Sequence, residues 1–510
     1  MIRQLLDLKR RYDNRVLWVL GNRDINKLRI PQELGLPLRP SPYHPGMIWF
    51  QGSGRVGDPE GPLPPDEPGQ RLKWILSQTM GSPNAMEHRR HELMWEANGC
   101  CDIATNDYDH DDKEKEKIIT DLDVVRSYQE SCHPEGEMGL YLSQALIAAP
   151  VGPILFVHGS LPLTNEVIIK AKAKSKSVWD DLTSFTPWIP HNNHSSPSLD
   201  YRVKTIEDWF DAVNQFCIDS IQAWTNDINR IEKIGVELNR RRSSDDIKEQ
   251  SKKSIWAYRA GYNRTYSDLI QYGMGRIPGG GKNPTVVYNS FTPEGMPQSF
   301  IPLHDHNESG DQLPSISSDI AMSISEFFER SSIQLILTGH KPQGDLPSPI
   351  RINNSSWIIC ADTSYSGDTI WYHLDSGDGD NDGQRRSNIG RGNSISFRGD
   401  VAVSEVLVEL SNSGTTLDCV RYHGVLSDGY EYESVNLLDD DNSRTLGQVA
   451  SDDSLVPKAS DSPHENGRWW TKSIFQDGSH LYYAGEGYHV WNYVVSSNNN
   501  REKDTDKICS

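Results

Sequence analysis

Three residues able to ligate a divalent cation each stand just beyond a short apolar run in this chain. Asn22 follows Val16-Leu17-Trp18-Val19-Leu20-Gly21, His158 follows Ile154-Leu155-Phe156-Val157, and His340 follows Ile333-Gln334-Leu335-Ile336-Leu337-Thr338-Gly339. Runs of this length bounded by glycine read as buried strands, and in α/β sheets ligands collect beyond the carboxyl ends of strands. The three positions are therefore expected around one crevice, with Gly21, Gly159 and Gly339 allowing a sharp exit from each strand. One amide oxygen and two neutral imidazoles suit a borderline divalent ion. They also leave its positive charge uncancelled, so that bound water ionises near neutral pH. Arg23 and Asp24, next in the chain, are the candidate catalytic residues. The guanidinium stays protonated and can fork onto anionic oxygens, while the carboxylate can orient the turn or pair with a basic neighbour.

Other chemistry-bearing patterns fall short of their templates. Asp378-x-Asp380-x-Asp382-Gly383 opens like a calcium-binding loop, but Ile389 stands where a bidentate Glu belongs, so it reads as a solvated loop. Gly279-Gly280-Gly281-Lys282 resembles a phosphate loop, yet Arg276 occupies the first glycine position and Asn283 replaces Ser or Thr. His191-x-x-His194 and His304-Asp305-His306 read as exposed loop histidines. Asp362, after the apolar run ending at Cys360, reads as a turn cap at least as readily as a functional group. Trp469, Trp470 and Trp491 read as packing residues.

The elements that must position these residues are legible in outline. An amphipathic helix is expected around Leu5, Leu6 and Leu8, with further helices over Gln70–Thr79, Asn84–Asn98 and Gly139–Ala149, the last leading into the His158 strand. About 180 residues separate His158 from His340, far more than a strand–helix connection needs. Within that stretch, helices are expected at Ile206–Trp224 and Ser254–Ile270. Strands are expected at Val401–Leu410, Leu417–Tyr422 and Leu481–Val494, and the polar stretch 438–466 reads as disordered. The implied division is a first core segment (1–161), an insertion or cap (162–330), a second core segment with the Gly-His pair (331–374), an acidic loop (375–395), a β-rich part (396–496) and a disordered tail (497–510).

Bulk composition narrows the function classes. The 510 residues carry 71 acidic and 51 basic side chains, a formal net charge of −20, which opposes non-specific binding to nucleic acid. An acidic chain that handles a phosphate needs local cations, and metal ions are the natural supply. Seven cysteines, with only Cys100-Cys101 close together, indicate neither a disulfide framework nor a structural zinc module. The first residues lack the apolar core of a signal peptide, and no run approaches the ~18 apolar residues of a membrane helix. A soluble cytoplasmic protein without membrane or nucleic-acid partners is expected.

The ordered set strand-Gly21-Asn22-Arg23-Asp24, strand-His158-Gly159 and strand-Gly339-His340 resembles the calcineurin-like metallophosphoesterases. That family runs D-x-H, G-D-x-x-D, G-N-H-[DE], H-G and G-H. The resemblance covers residues 12 to 30, 150 to 162 and 333 to 370. It implies an α/β fold of four αββα layers, here with a large insertion and a β-rich C-terminal part. It implies Asn22, His158 and His340 as ligands of one metal (Mn, Fe or Zn), and hydrolysis of a phosphoester or phosphorylated small molecule. The sequence departs from the family at Arg23, where a histidine is usual, and leaving groups that depart as stable anions are expected to be preferred. Nothing in Met1 to Leu20 reads D-x-H or G-D-x-x-D. The chain is therefore expected to be N-terminally incomplete and missing its first strands, with both motifs upstream. The alternative is a catalytically dead phosphoesterase-fold scaffold that binds a partner.

Overall fold

The computed structural model describes residues 2–34, 67–98, 118–163, 165–180, 203–240, 264–275, 285–291, 318–341, 343, 346–363, 369–373, 384–387, 403–425, 431–439, 445–450, 469–486 and 489–495. The chain is mixed α/β. Its helices are α1 (Ile2–Tyr12), α2 (Asn22–Ile25), α3 (Ile30–Leu34), α4 (Pro68–Trp74), α5 (Ala85–Asn98), α6 (Asp121–Ser131), α7 (Glu137–Gln144), α8 (Asn165–Ala173), α9 (Ile206–Arg240), α10 (Arg264–Gly273) and α11 (Ser318–Arg330). Its strands are β1 (Ala148–Val151), β2 (Ile154–Val157), β3 (Leu335–Thr338), β4 (Ser348–Arg351), β5 (Trp357–Cys360), β6 (Thr369–His373), β7 (Gln384–Ser387), β8 (Val403–Leu410), β9 (Leu417–Val425), β10 (Glu431–Glu433), β11 (Trp470–Ile474), β12 (His480–Glu486) and β13 (His489–Val495). Two compact units divide the chain: residues 1–146 with 215–282, and residues 147–214 with 283–510, the boundary falling inside α9.

The first unit is helical. Its helix starts follow local chemistry: Thr120 Oγ1 accepts from Asp123 N–H (3.3 Å) while Asp123 Oδ2 accepts from Thr120 N–H (2.9 Å), a reciprocal cap on α6. Glu67 caps α4 by accepting from Gly69 and Gln70, with Pro68 in the first turn where its missing N–H costs nothing. Leu20, Ile25, Leu28, Ile30, Leu72, Ile75, Val124 and Leu142 are wholly buried. Trp224 of α9 joins this core and donates Nε1–H to Leu28 O (2.9 Å). The run Val16–Leu20, expected as a strand, makes a single parallel bridge, Val19 to Leu146. Trp18 instead stacks on Tyr141 (ring centroids 5.2 Å) and donates to its carbonyl (3.0 Å).

The second unit is built on a five-stranded sheet of order β1-β2-β3-β5-β4. Strands β2, β3 and β5 are parallel neighbours, with Phe156 opposite Leu337 and Leu337 opposite Ile359, so their carboxyl ends share one edge. Alternate residues Ile154, Leu335, Leu337, Trp357 and Ile359 pack into one core with Val420, Tyr422 and Tyr432 of the three-stranded sheet β10-β9-β8 and with Ile474 and Leu481 of β11 and β12. The intervening Leu155, Ile336 and Ile358 are equally buried. Burial on both faces explains why these strands read as continuous apolar runs rather than alternating ones. Of the span Gly139–Ala149 expected as helix, α7 holds the part up to Gln144, while Ala148 and Ala149 belong to the edge strand β1, in a hairpin with β2. Asn214 of α9 completes that edge: its Oδ1 accepts from Ile147 N (3.0 Å) and Ala148 N (3.1 Å), and its Nδ2 donates to Ala148 O (2.7 Å). The span Leu481–Val494, expected as one strand, is the β12–β13 hairpin. Within the stretch read as disordered, Leu446 is fully buried and Gly447 packs against Arg351 N–H and the Trp357 ring.

Candidate metal centre

His158 is the residue after β2 and His340 lies two residues after β3. Because those strands are parallel and adjacent, the two leave the sheet side by side. Their loops are tied together: Gly339 N–H donates to His158 O (3.0 Å), and Thr338 Oγ1 donates to the carbonyls of His158 (3.3 Å) and Gly159. His340 takes φ +74°, left-handed for a non-glycine residue, and this turns its ring toward His158. His158 Nε2 and His340 Nδ1 stand 3.3 Å apart, with rings edge to face at 77°. Both side chains are half-buried.

This spacing admits two chemistries. One imidazole can donate to the other, which requires opposite protonation at the facing nitrogens. Alternatively both nitrogens present lone pairs to one ion; two nitrogens at ~2.05 Å from a tetrahedral ion stand about 3.3 Å apart. The pair therefore fits a divalent cation. Among the described residues, no group of three or more His, Cys, Asp or Glu side chains is arranged to hold one ion.

A third element borders the pair. Gly159 N–H donates to Val286 O (2.7 Å), and a Cβ on Gly159 would stand 2.9 Å from the carbonyls of Val286 and Asn289, so only glycine permits this approach. Thr285 Oγ1 accepts from the N–H groups of Val287 (3.3 Å) and Tyr288 (3.0 Å), a side-chain turn that presents Tyr288. The Tyr288 ring lies edge-on to His340 with centroids 4.9 Å apart. Sequence reading missed Tyr288; the buried run Thr285-Val286-Val287 before it was the available signal.

Lys472 of β11 is fully buried. Its Nζ donates to Gln343 O, three residues beyond His340, and lies 4.7 Å from the Tyr483 ring centroid. Tyr422 Oη donates to Lys472 O (2.6 Å). Cys360, at the end of β5, is buried, and desolvation together with the nearby Asp362 carboxylate pushes its thiol up to about 12. In the metal-free protein it is a neutral thiol packed in the core.

Asn22, Arg23 and Asp24 lie together in the first unit, on the single turn of α2. Asp24 Oδ2 accepts from Gly21 N–H (2.9 Å), closing the turn, and Oδ1 faces Lys27 Nζ at 3.5 Å. Lys27 Nζ also donates to Arg23 O (3.2 Å). The Arg23 guanidinium lies against Gly81, where a Cβ would stand 3.2 Å from Nη2. The motifs at 191–194, 279–283, 304–306 and 378–383 lie outside the described residues.

No family model, curated protein or solved structure matches this chain. No helix among the described residues is long and apolar enough to cross a membrane.

Proposed function

We propose that the protein is a metal-dependent phosphoester hydrolase of the calcineurin-like type, built on the four-layer αββα sandwich that resemblance implies. The supporting observation is the facing of His158 Nε2 and His340 Nδ1 at 3.3 Å, beyond the carboxyl ends of adjacent parallel strands. In this reading both rings bind through the facing nitrogens, as neutral imidazoles. A bound Mn, Fe or Zn ion would supply hydroxide near neutral pH and offset phosphoryl charge. His340 is aimed by its left-handed backbone, and Tyr288 walls its ring on one side. The resemblance assigns Asn22 as a further ligand, Arg23 as the cation facing phosphoryl oxygens and Asp24 as the brace of that turn. A phosphorylated small molecule is the substrate class, and a net charge of −20 disfavours nucleic acid.

The second reading, a scaffold without activity, is favoured by the same pair: two imidazoles can satisfy each other by a hydrogen bond with no ion between them. One experiment separates the two. The purified chain, alone and with any upstream coding sequence, is equilibrated with Mn2+ or Zn2+, and retained metal and aryl phosphate hydrolysis are measured. His158→Ala and His340→Ala are each expected to weaken metal binding by more than about 100-fold, beyond the range of outer-shell changes, and Asn22→Ala tests the amide separately. Retention unaffected by either histidine change sinks the hydrolase reading. Equal kcat/KM for aryl and alkyl phosphates removes the role given to Arg23.

A further inference from the structure

Tyr288 is a large ring left open beside a half-buried pair of imidazoles. The three residues before it, Thr285, Val286 and Val287, are at most 1% exposed, whereas Tyr288 is 39% exposed. That exposure does not come from a loose loop. Val286 O, two residues before Tyr288, accepts from Gly159 N–H (2.7 Å), and Asn289 Nδ2, one residue after it, donates to Leu161 O (3.1 Å). Tyr288 is thus pinned on both sides to the segment that follows His158, and the Thr285 hydroxyl closes its turn. Its ring meets His340 with centroids 4.9 Å apart and planes at 61°. Contact at that angle uses an edge or at most one face of the tyrosine, and among the described residues no second ring lies against it. A ring already held in place loses little freedom when a planar group stacks on its open face.

We propose that Tyr288 is a specificity-determining residue: it stacks on a planar aromatic group carried next to the phosphorus of the substrate, so that aromatic phosphoesters are favoured over saturated ones of equal charge. An ester held by its phosphoryl oxygens at the histidine pair carries its substituent only one atom beyond the phosphorus. Tyr288 touches one of those two histidines, and offset aromatic pairs attract over centroid separations of about 4.5–7 Å, which brings the substituent within its reach. The inference rests on the function proposed above, because the ion at the histidine pair is what brings the phosphoryl group there.

Benzylphosphonate and cyclohexylmethylphosphonate, in which CH2 replaces the ester oxygen, carry the same charge and differ in the planarity of the ring. Neither has a leaving group, so the leaving-group preference given to Arg23 does not enter. Calorimetric titration of the full chain equilibrated with Zn2+ is expected to show benzylphosphonate binding about 2- to 12-fold tighter. Tyr288→Phe should keep that ratio and Tyr288→Leu should bring it close to one, whereas a purely structural disturbance of His340 would weaken both ligands alike and leave the ratio standing. Equal affinities in the wild type, no binding of either ligand, or a ratio that survives Tyr288→Leu overturns the proposal. Ester hydrolysis without the ratio leaves the hydrolase reading standing and removes the role of Tyr288. A ratio that depends on Tyr288 in a chain that hydrolyses no ester keeps that role, and the hydrolase reading fails.

Discussion

His340 holds a backbone conformation that a side-chain-bearing residue adopts at a cost, because its Cβ crowds the adjacent carbonyl at φ +74°. The strain directs the ring at His158 and is offset by the ring contacts of the imidazole with His158 and Tyr288. Comparing two truncations isolates the backbone term. His340→Gly is expected to be more stable than His340→Ala by about 1 kcal/mol in urea denaturation, since both lose the ring and only glycine relaxes the turn. Equal stabilities would show that the conformation is unstrained. At this scale the histidine pair was legible because a Gly-flanked His after an apolar run is a recognisable arrangement. Asp362 was visible but ambiguous, since a carboxylate after a strand caps turns just as well. Tyr288 was not legible: its place beside His340 depends on Gly159 admitting a backbone from more than a hundred residues away.

Among the elements, β2, β3 and β5 were readable from continuous apolar runs, and their burial on both faces explains why. The run Val16–Leu20 has the same composition yet forms one bridge, Val19 to Leu146. In the second unit, the N–H groups of Ile147 and Ala148 and the carbonyl of Ala148 are engaged by Asn214. That side chain substitutes for a neighbouring strand at the edge of β1, a role no local pattern announces. Asn214→Ala should destabilise the protein by about 2–4 kcal/mol, since three buried backbone groups lose their partner. Asn214→Asp should also destabilise, because one carboxylate oxygen can still accept from both N–H groups but the other is set against the Ala148 carbonyl oxygen, acceptor to acceptor. Wild-type stability of either variant in urea would contradict this account.

For the whole molecule, three thiols shape the alkaline limit. Burial pushes Cys132, Cys217 and Cys360 up to about 12 from an ordinary value of 9.0. Between those values the unfolded chain releases protons that the folded chain retains, so stability falls as pH rises through about 9 toward 12. Urea denaturation at pH 8, 9 and 10 should show this decline. Cys217→Ala should flatten it, by at most about 1.4 kcal/mol per pH unit; an unchanged slope would exclude that thiol as a contributor. Composition gave no hint of this behaviour, because it arises from burial rather than from cysteine count. The grip of Lys472 on Gln343 O has a consequence of another kind. A lysine 129 positions downstream steadies the turn that aims His340, so the terminal strands are not an appendage. Trimming them would remove the lysine that holds the Gln343 carbonyl, three residues beyond one of the two facing imidazoles.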